Sequence, residues 1–126
     1  MNDNINPEHY KGRIKCIVIA EWLGFNLGNA FKYLFRFQGK NGKEDLNKAI
    51  WYLKNEIKFY NVNKKMSVVE FSASEYNTAF NTVNEIGAGL PETIARAMIN
   101  LIKYTKFGIP MLASSIKEIE VYINEI

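Results

Sequence analysis

Amphipathic stretches that end at glycines constrain the fold of this chain more than any other feature. Apolar residues at helical spacing fill the stretch before Gly24, the stretch from Asn26 to Gly39, and the stretch before Gly87. This spacing is typical of α-helices that bury one face, and a glycine directly after such a run commonly ends a helix. The pattern predicts an all-α protein of about six helices.

Helix starts are also marked in the second half of the chain. Ser72 and Glu75 have the spacing of a capping box, in which each side chain binds a backbone N–H group at the start of a helix. Pro91 and Pro110 are placed where the fixed φ of proline favours a first helical turn. The one competing signal is "SVVEF", residues 67–71, so we allow for at most one short strand.

The two halves of the chain carry opposite net charge. Residues 1–65 hold 12 Lys and Arg against 6 Asp and Glu, a net of +6, whereas residues 66–126 hold 4 against 7, a net of −3. Each half has the pattern of three helices, and residues 61–65 have the composition of a linker. We expect a basic and an acidic three-helix half that share one core. Sparse similarities, such as "EWLG" with "NEIG", favour a diverged duplication of a three-helix unit, with chance similarity between amphipathic helices as the alternative.

Composition indicates a cytoplasmic protein. The single cysteine, Cys16, lies in the apolar run "IKCIVIA", so we expect a buried thiol in a reducing compartment. No apolar run is long enough to span a bilayer, and the N-terminus is too polar for a signal peptide. We therefore expect no membrane partner.

Two consecutive predicted helices carry selective side chains opposite their apolar stripes, and a short connection would place these along one groove. The set comprises Asn29, Lys32, Tyr33 and Arg36 on the first helix, Lys40 in the loop, and Asp45, Lys48, Trp51 and Tyr52 on the second. Arg and Lys hold phosphates, polar groups bind sugar or base edges, and aromatic rings stack on bases. The set predicts a site for a nucleotide or another anionic small molecule. The solvent-facing sides of two ordinary helices are the alternative reading.

Two further groups are weaker candidates. His9 and Tyr10 lie near the N-terminus, where His9 is either a phosphate ligand or general acid, or part of an arm that packs on the helices. Arg96, Asn100 and Lys103 lie opposite an apolar stripe in the second half. They are either a degenerate second site or a solvated face.

Motifs of conventional nucleotide-dependent enzymes are absent from the sequence. It contains no phosphate-binding loop, dinucleotide fingerprint, serine elbow or zinc motif. Glu44 and Asp45 are adjacent, so on a helix they point apart and do not form a metal-binding pair. We expect no cofactor and no metal, and a binding protein rather than an enzyme.

The stretch from Pro7 to Ile57 closely resembles the SaV-like family of small tailed-phage proteins. The matching residues are His9-Tyr10, Gly24-Phe25, Gly28-Asn29-Ala30, Lys32-Tyr33, Arg36, Gly39-Lys40, Glu44-Asp45-Leu46, Lys48-Ala49 and Trp51-Tyr52-Leu53. The chain departs from the family pattern at Asn6 or an adjacent residue, which replaces a histidine, and at Lys15 and Val18, which replace acidic residues. Any chemistry that relies on those acids is not expected here.

The resemblance carries expectations about biology. Members of the family are phage accessory proteins, described as uncharacterised or as nucleotide-kinase-like, and the family name refers to sensitivity to a host abortive-infection system. The resemblance therefore implies a phage protein in the cytoplasm of an infected bacterium, in contact with host defence. Its motif residues coincide with the polar set described above.

The leading hypothesis is an oligomeric accessory protein that sequesters a signalling nucleotide. One alternative is an atypical nucleoside monophosphate kinase with His9 and Asp45 as catalytic candidates. Another is an inhibitor that binds a host defence protein, with the C-terminal apolar stripe as its interface or as a homodimer contact, unless that stripe is simply core. The stripe comprises Leu112, Ile116, Ile119, Ile123 and Ile126. Nucleic-acid binding ranks lower, because the net charge is small and no known reading motif is present.

Overall fold

Helices make up almost all of the described chain. The structure, a computed structural model, describes the backbone of residues 7–126 and the side chains of residues 11–126. Its elements are α1 (Pro7–Arg36), a 3₁₀ turn (Phe37–Gly39), α2 (Lys43–Asn63), α3 (Ala73–Ile86), α4 (Glu92–Phe107) and α5 (Ile109–Glu125). The predicted all-α fold is confirmed. Residues 67–71 are irregular, and residues 7–126 contain no strand.

Gly24 divides α1 into two arms, residues 7–23 and 25–36. Its backbone angles, φ 81° and ψ −170°, lie in a region that is open almost only to glycine. The predicted helix end at Gly24 is thus a sharp break inside one element. Gly108, between α4 and α5, has nearly the same angles, φ 86° and ψ −165°. The five helices with one break account for the six helical segments expected from the sequence.

The two arms of α1 fold back on each other. Near the break, a Cβ atom added to Gly28 would lie 2.4 Å from the carbonyl oxygen of Ala20. At the far end, a Cβ atom added to Gly12 would lie 3.4 Å from Cζ of Phe35. The first arm therefore runs antiparallel to the second, and its N-terminal turns lie beside the end of α1.

Every helix contributes to one cluster of buried apolar residues. The stripes predicted on the second arm of α1, on α2 and on α4 are confirmed, and Cys16 is buried as expected. The C-terminal stripe is core at Leu112, Ile116 and Ile119, but Ile126 is exposed. α4 packs chiefly on α5, and α1 chiefly on α2, while contacts between α2 and α5 and between α1 and α4 join the pairs.

The connection from α2 to α3 shows one success and one error of the sequence prediction. The capping box is confirmed, since the N–H of Glu75 donates to Ser72 Oγ (3.1 Å) and the N–H of Ser72 donates to Glu75 Oε1 (2.8 Å). The predicted linker at residues 61–65 is wrong over its first three residues, because α2 continues to Asn63. Lys64, whose φ is 58°, caps the C-terminal end of this helix. The backbone N–H groups of Asn61 and Asn63 bind carbonyl groups of the preceding turn, so these two polar residues do not end the helix.

A fully buried carboxylate on α2 joins three helices and the connection after α2. Glu56 Oε2 accepts hydrogen bonds from the Tyr104 hydroxyl on α4 (2.9 Å) and from the N–H of Ser67 (2.9 Å). Its Oε1 accepts from Asn26 Nδ2 (3.2 Å) on α1 and from the Ser67 hydroxyl. Asn55 Nδ2 donates in turn to Asn26 Oδ1 (2.8 Å). Burial and the Glu56 carboxylate raise the pKa of Tyr104 far above its ordinary value, so its hydroxyl remains a donor.

We predict that Gly28→Ala destabilises the protein by about 1–3 kcal/mol, because the added methyl group collides with the backbone at Ala20. Gly39→Ala is the matched control, since nothing lies within 4 Å of a Cβ atom there. Urea unfolding followed by circular dichroism measures both changes. Equal stability of the two variants would contradict the close approach of the arms.

We also predict that Glu56→Gln destabilises the protein by about 1–3 kcal/mol. The amide NH₂ group would replace an acceptor among four donors, which leaves buried polar groups unsatisfied. Glu120→Gln on the exposed side of α5 is the control. An unfolding midpoint of Glu56→Gln equal to that of the control would show that the buried cluster contributes nothing to stability.

Candidate functional site

A groove of about 890 Å³ lies between the two arms of α1 and the connection from α3 to α4. The fold-back at Gly24 creates it, because the first arm and the end of the second arm supply opposite walls. Its lining comprises Lys11, Gly12, Arg13, Lys15, Cys16, Ile17, Lys32, Phe35, Arg36, Gln38, Gly39, Lys40, Glu85, Ile86, Gly89 and Leu90. Both halves of the chain therefore meet at this groove.

Positive charge dominates the lining of the groove. Among the side chains of residues 11–126, those of Lys11, Arg13, Lys15, Lys32, Arg36 and Lys40 line the groove as cations, and Glu85 supplies the one carboxylate. Glu85 forms an ion pair with Lys15 across the groove. This pair ties the acidic α3 to the basic α1 and neutralises one of the cations. The remaining charge favours an anionic ligand.

Tyr33 is the point around which three cations gather. Lys32 Nζ lies 4.5 Å from the centre of the Tyr33 ring, Arg36 Cζ 4.8 Å and Lys48 Nζ 5.5 Å. Cations at such distances are attracted to the negative face of an aromatic ring. The ring thus reduces the repulsion between like charges and keeps them close together.

Arg36 is held from behind by a buried carboxylate. Its Nε lies 3.4 Å from Oδ2 of Asp45, which is fully buried in the first turn of α2. The same oxygen accepts the N–H of Asn41 at 3.3 Å. Among the described residues, Arg36 Nε and Asp45 Oδ1 have no hydrogen-bond partner. Asp45 therefore attracts the guanidinium through its charge rather than through an aligned hydrogen bond.

An aromatic face, formed by Phe25, Tyr33, Trp51 and Tyr52, adjoins these cations. Tyr52 stacks on Tyr33 with ring centres 6.0 Å apart and 17° between the planes. Trp51 and Phe25 meet the Tyr52 ring edge-on, at 5.0 Å and 5.7 Å. Phe25 is 72% exposed and Trp51 60% exposed, so this apolar surface faces solvent.

The structure distributes the predicted site residues over two adjoining surfaces rather than along one groove. Lys32, Arg36 and Lys40 line the groove, whereas Trp51 and Tyr52 lie on the aromatic face. Tyr33 connects the two surfaces through its contacts with Lys32 and Arg36. Lys32 and Arg36 line the groove with the first arm of α1, whereas Tyr33 stacks on Tyr52 of α2.

The other predicted residues have local roles or lie outside the described part. Asn29 donates from Nδ2 to the carbonyl of Phe25 (2.8 Å) and accepts from Lys32 Nζ (3.3 Å), so it is engaged within its own helix. Lys48 Nζ lies 3.1 Å from Glu44 Oε1. The hydrogen bond to Glu44 is the main cause that raises the pKa of Lys48. The side chains of His9 and Tyr10 lie outside the residues whose side chains the structure describes.

Sequence reasoning missed the first arm of α1 as a wall of the groove. Lys11, Arg13 and Lys15 come from the run "KGRIK", which is a local signal of positive charge. Its relation to Arg36 depends on the direction in which the arms fold at Gly24. No local sequence pattern indicated that Glu85 of α3 would line the groove.

A second, smaller cavity of about 490 Å³ lies along α4 and the end of α3. It contains the three residues considered as a degenerate second site, Arg96, Asn100 and Lys103. Arg96 is bound on both sides, to Glu92 at 3.0 Å and to Glu118 at 3.1 Å. Because its charge is already neutralised, this cavity attracts anions less than the groove does.

Cys16 contributes a neutral thiol to the groove. Burial raises its pKa to about 12, and the nearby Lys32 opposes this shift only partly. A thiol with this pKa is protonated near neutral pH and is a poor nucleophile. Cys16 therefore does not supply an activated nucleophile to the groove.

The described part of the chain contains neither a metal-binding cluster nor a membrane-spanning helix. Among residues 11–126, whose side chains the structure describes, no group of three or more His, Cys, Asp and Glu side chains is arranged to hold a metal ion. In the same part of the chain, no helix combines the length and apolar character that crossing a membrane requires.

Residues 5–54 match a protein family of unknown function, DUF3310. The matched segment covers the two arms of α1 and most of α2, including Lys32, Arg36 and Lys40. It coincides with the part of the chain that carries the resemblance described above. Comparison with curated proteins and with solved structures gives no match.

We predict that Cys16 reacts slowly with a thiol reagent in the native protein at about pH 8 and rapidly after unfolding in urea. The unfolded thiol ionises from about pH 8.5, whereas the folded thiol ionises only near its raised pKa of about 12. The stability that the protonated Cys16 thiol contributes is therefore fully present below the pKa of the unfolded thiol. It is lost as the pH rises from the pKa of the unfolded thiol towards that of the folded thiol. Immediate labelling of the native protein would contradict this burial.

Proposed function

We propose that the protein binds a nucleotide or a related phosphorylated small molecule in the groove between the arms of α1. The observation that carries this proposal is the excess of cationic over acidic side chains in one cavity large enough for such a ligand. Charge-assisted hydrogen bonds from Arg and Lys are the strongest interactions that a protein surface offers to phosphate oxygens.

Three residues have the clearest roles in this proposal. Arg36 forms an ion pair with Asp45 and offers a planar guanidinium fork, which suits two phosphate oxygens. Lys32 and Lys40 supply mobile point charges on either side of it along the chain. Tyr33 borders both Lys32 and Arg36, so the aromatic face lies beside the phosphate position and offers stacking for a base.

The biological role that we propose is that of a phage accessory protein which sequesters a signalling nucleotide of host defence. The SaV-like resemblance of residues 7–57 supports this role. Binding without turnover is favoured because Cys16 is protonated and Asp45 is buried away from the groove. The kinase alternative loses support for the same reason, since Asp45 was one of its two catalytic candidates, and the side chain of the other, His9, lies outside the described residues.

One observation favours a second candidate function, binding of a host protein. Phe25 and Trp51 expose large apolar surfaces, and aromatic residues are enriched at protein interfaces. In this reading the aromatic face, and not the C-terminal stripe, is the contact surface, because Leu112, Ile116 and Ile119 are buried.

We predict that one class of nucleotide raises the melting temperature of the protein in a thermal-shift panel of mono-, di- and triphosphates and of linear and cyclic dinucleotides. A ligand at a hundredfold excess over its Kd stabilises the native state by about 2.7 kcal/mol. Lys32→Ala/Lys40→Ala is expected to abolish the shift. Arg36 is left in place, because its removal would strand the buried Asp45 carboxylate.

The matched control is Lys54→Ala/Lys58→Ala, which removes the same charge from exposed positions of α2 outside the groove. The control variant retains the shift if the groove is the site. Recovery of the intact nucleotide afterwards separates binding from catalysis. Absence of a shift with every nucleotide would overturn the proposal and favour the protein partner.

A further inference from the structure

The first arm of α1 carries an apolar stripe that faces solvent. Its members, Ile14, Ile17 and Val18, are 44%, 57% and 41% exposed. Cys16 and Ile19, on the opposite side of the same arm, are buried in the core. Residues three and four positions apart share one face of a helix, so the exposed residues are contiguous. β-Branched apolar residues gathered in this way mark a contact surface.

Charged residues bracket this stripe at symmetric positions. Lys11 is exposed and lies one turn before Ile14, and Glu21 is exposed and lies one turn after Val18. The pair Lys11 and Glu21 and the pair Ile14 and Val18 share the same midpoint along the helix. Two copies of such a helix, packed antiparallel about a two-fold axis, bring each residue opposite its counterpart across that midpoint.

We infer that this arm is the interface of a homodimer in which two copies of α1 pack antiparallel. Ile14 of each copy contacts Val18 of the other, with Ile17 beside them. Lys11 of each copy forms an ion pair with Glu21 of the other. The charges that bracket the stripe are complementary to those of a second antiparallel copy, which favours a second copy over an unrelated partner. The inference rests on the exposed face of this arm and requires no ligand, although Lys11 and Ile17 also line the groove.

The strength of the dimer follows from the length of the interface. The segment from Lys11 to Glu21 spans about 15 Å at the rise of an α-helix. An interface of this length lies at the small end of the range for specific complexes. The association is therefore weak and depends on protein concentration.

Sedimentation equilibrium of the full chain over a wide range of concentrations tests the inference. The wild-type protein is expected to show a monomer–dimer equilibrium. Glu21→Lys and Lys11→Glu each place like charges opposite one another, twice per dimer, and each is expected to raise Kd by about tenfold or more. The combined swap, Lys11→Glu/Glu21→Lys, restores opposite charges and is expected to return Kd close to the wild-type value.

Controls keep the result specific to this face. Glu70→Lys makes the same charge change at an exposed position outside α1 and is expected to leave Kd unchanged. Val18→Lys removes an apolar layer and is expected to give a monomer, while circular dichroism verifies that each variant retains its helices. A wild-type protein that is monomeric at every concentration overturns the inference. A dimer that ignores the single charge reversals, or single reversals that the swap does not rescue, also overturns it.

Discussion

A hydrogen-bonded carboxylate at the centre of the molecule determines how the helices sit relative to each other. Glu56 accepts from Asn26 on α1, Tyr104 on α4 and Ser67 in the connection after α2. Apolar packing alone tolerates small sliding of one helix on another, whereas a buried acceptor with four donors is satisfied in one arrangement only. The α1 and α2 pair, which carries the cations, is thereby locked to α4 and hence to α5. The groove inherits its shape from this arrangement.

Three interactions stabilise the cluster of cations in the groove. Tyr33 offers a ring face to Lys32 and Arg36, Asp45 compensates Arg36 from the interior, and Glu85 compensates Lys15 from α3. Each interaction leaves part of a cation accessible and lowers the repulsion between that cation and the other cations. This explains why a small domain with a modest net charge presents a strongly positive cavity. The charge difference between the two halves has a local counterpart in the Lys15–Glu85 pair.

Features that are set by a few neighbouring residues could be predicted from the sequence. Features that depend on how distant segments fold against each other could not. The helix break at Gly24, the capping box at Ser72 and the apolar stripes follow from rules that act within a few residues. Glu56 gave no signal, because a glutamate on an amphipathic helix is usually solvated, and its burial depends on donors far along the chain. Lys32, Arg36 and Lys40 were identified by residue type. The partner wall of the groove was not, since it depends on how two helical arms fold at a glycine.

The close approach at Gly28 has a geometric consequence for the width of the groove. The arms of α1 diverge from a bend at Gly24, cross tightly where Gly28 meets Ala20, and line the groove several turns further on. Contact between the arms continues at the far end, where a Cβ atom added to Gly12 would lie 3.4 Å from Phe35 Cζ. A side chain at position 28 would force the arms apart at the crossing and thereby move one wall of the groove relative to the other. The hydrogen atom that glycine carries in place of a methyl group is therefore a geometric requirement of the groove as well as of the core.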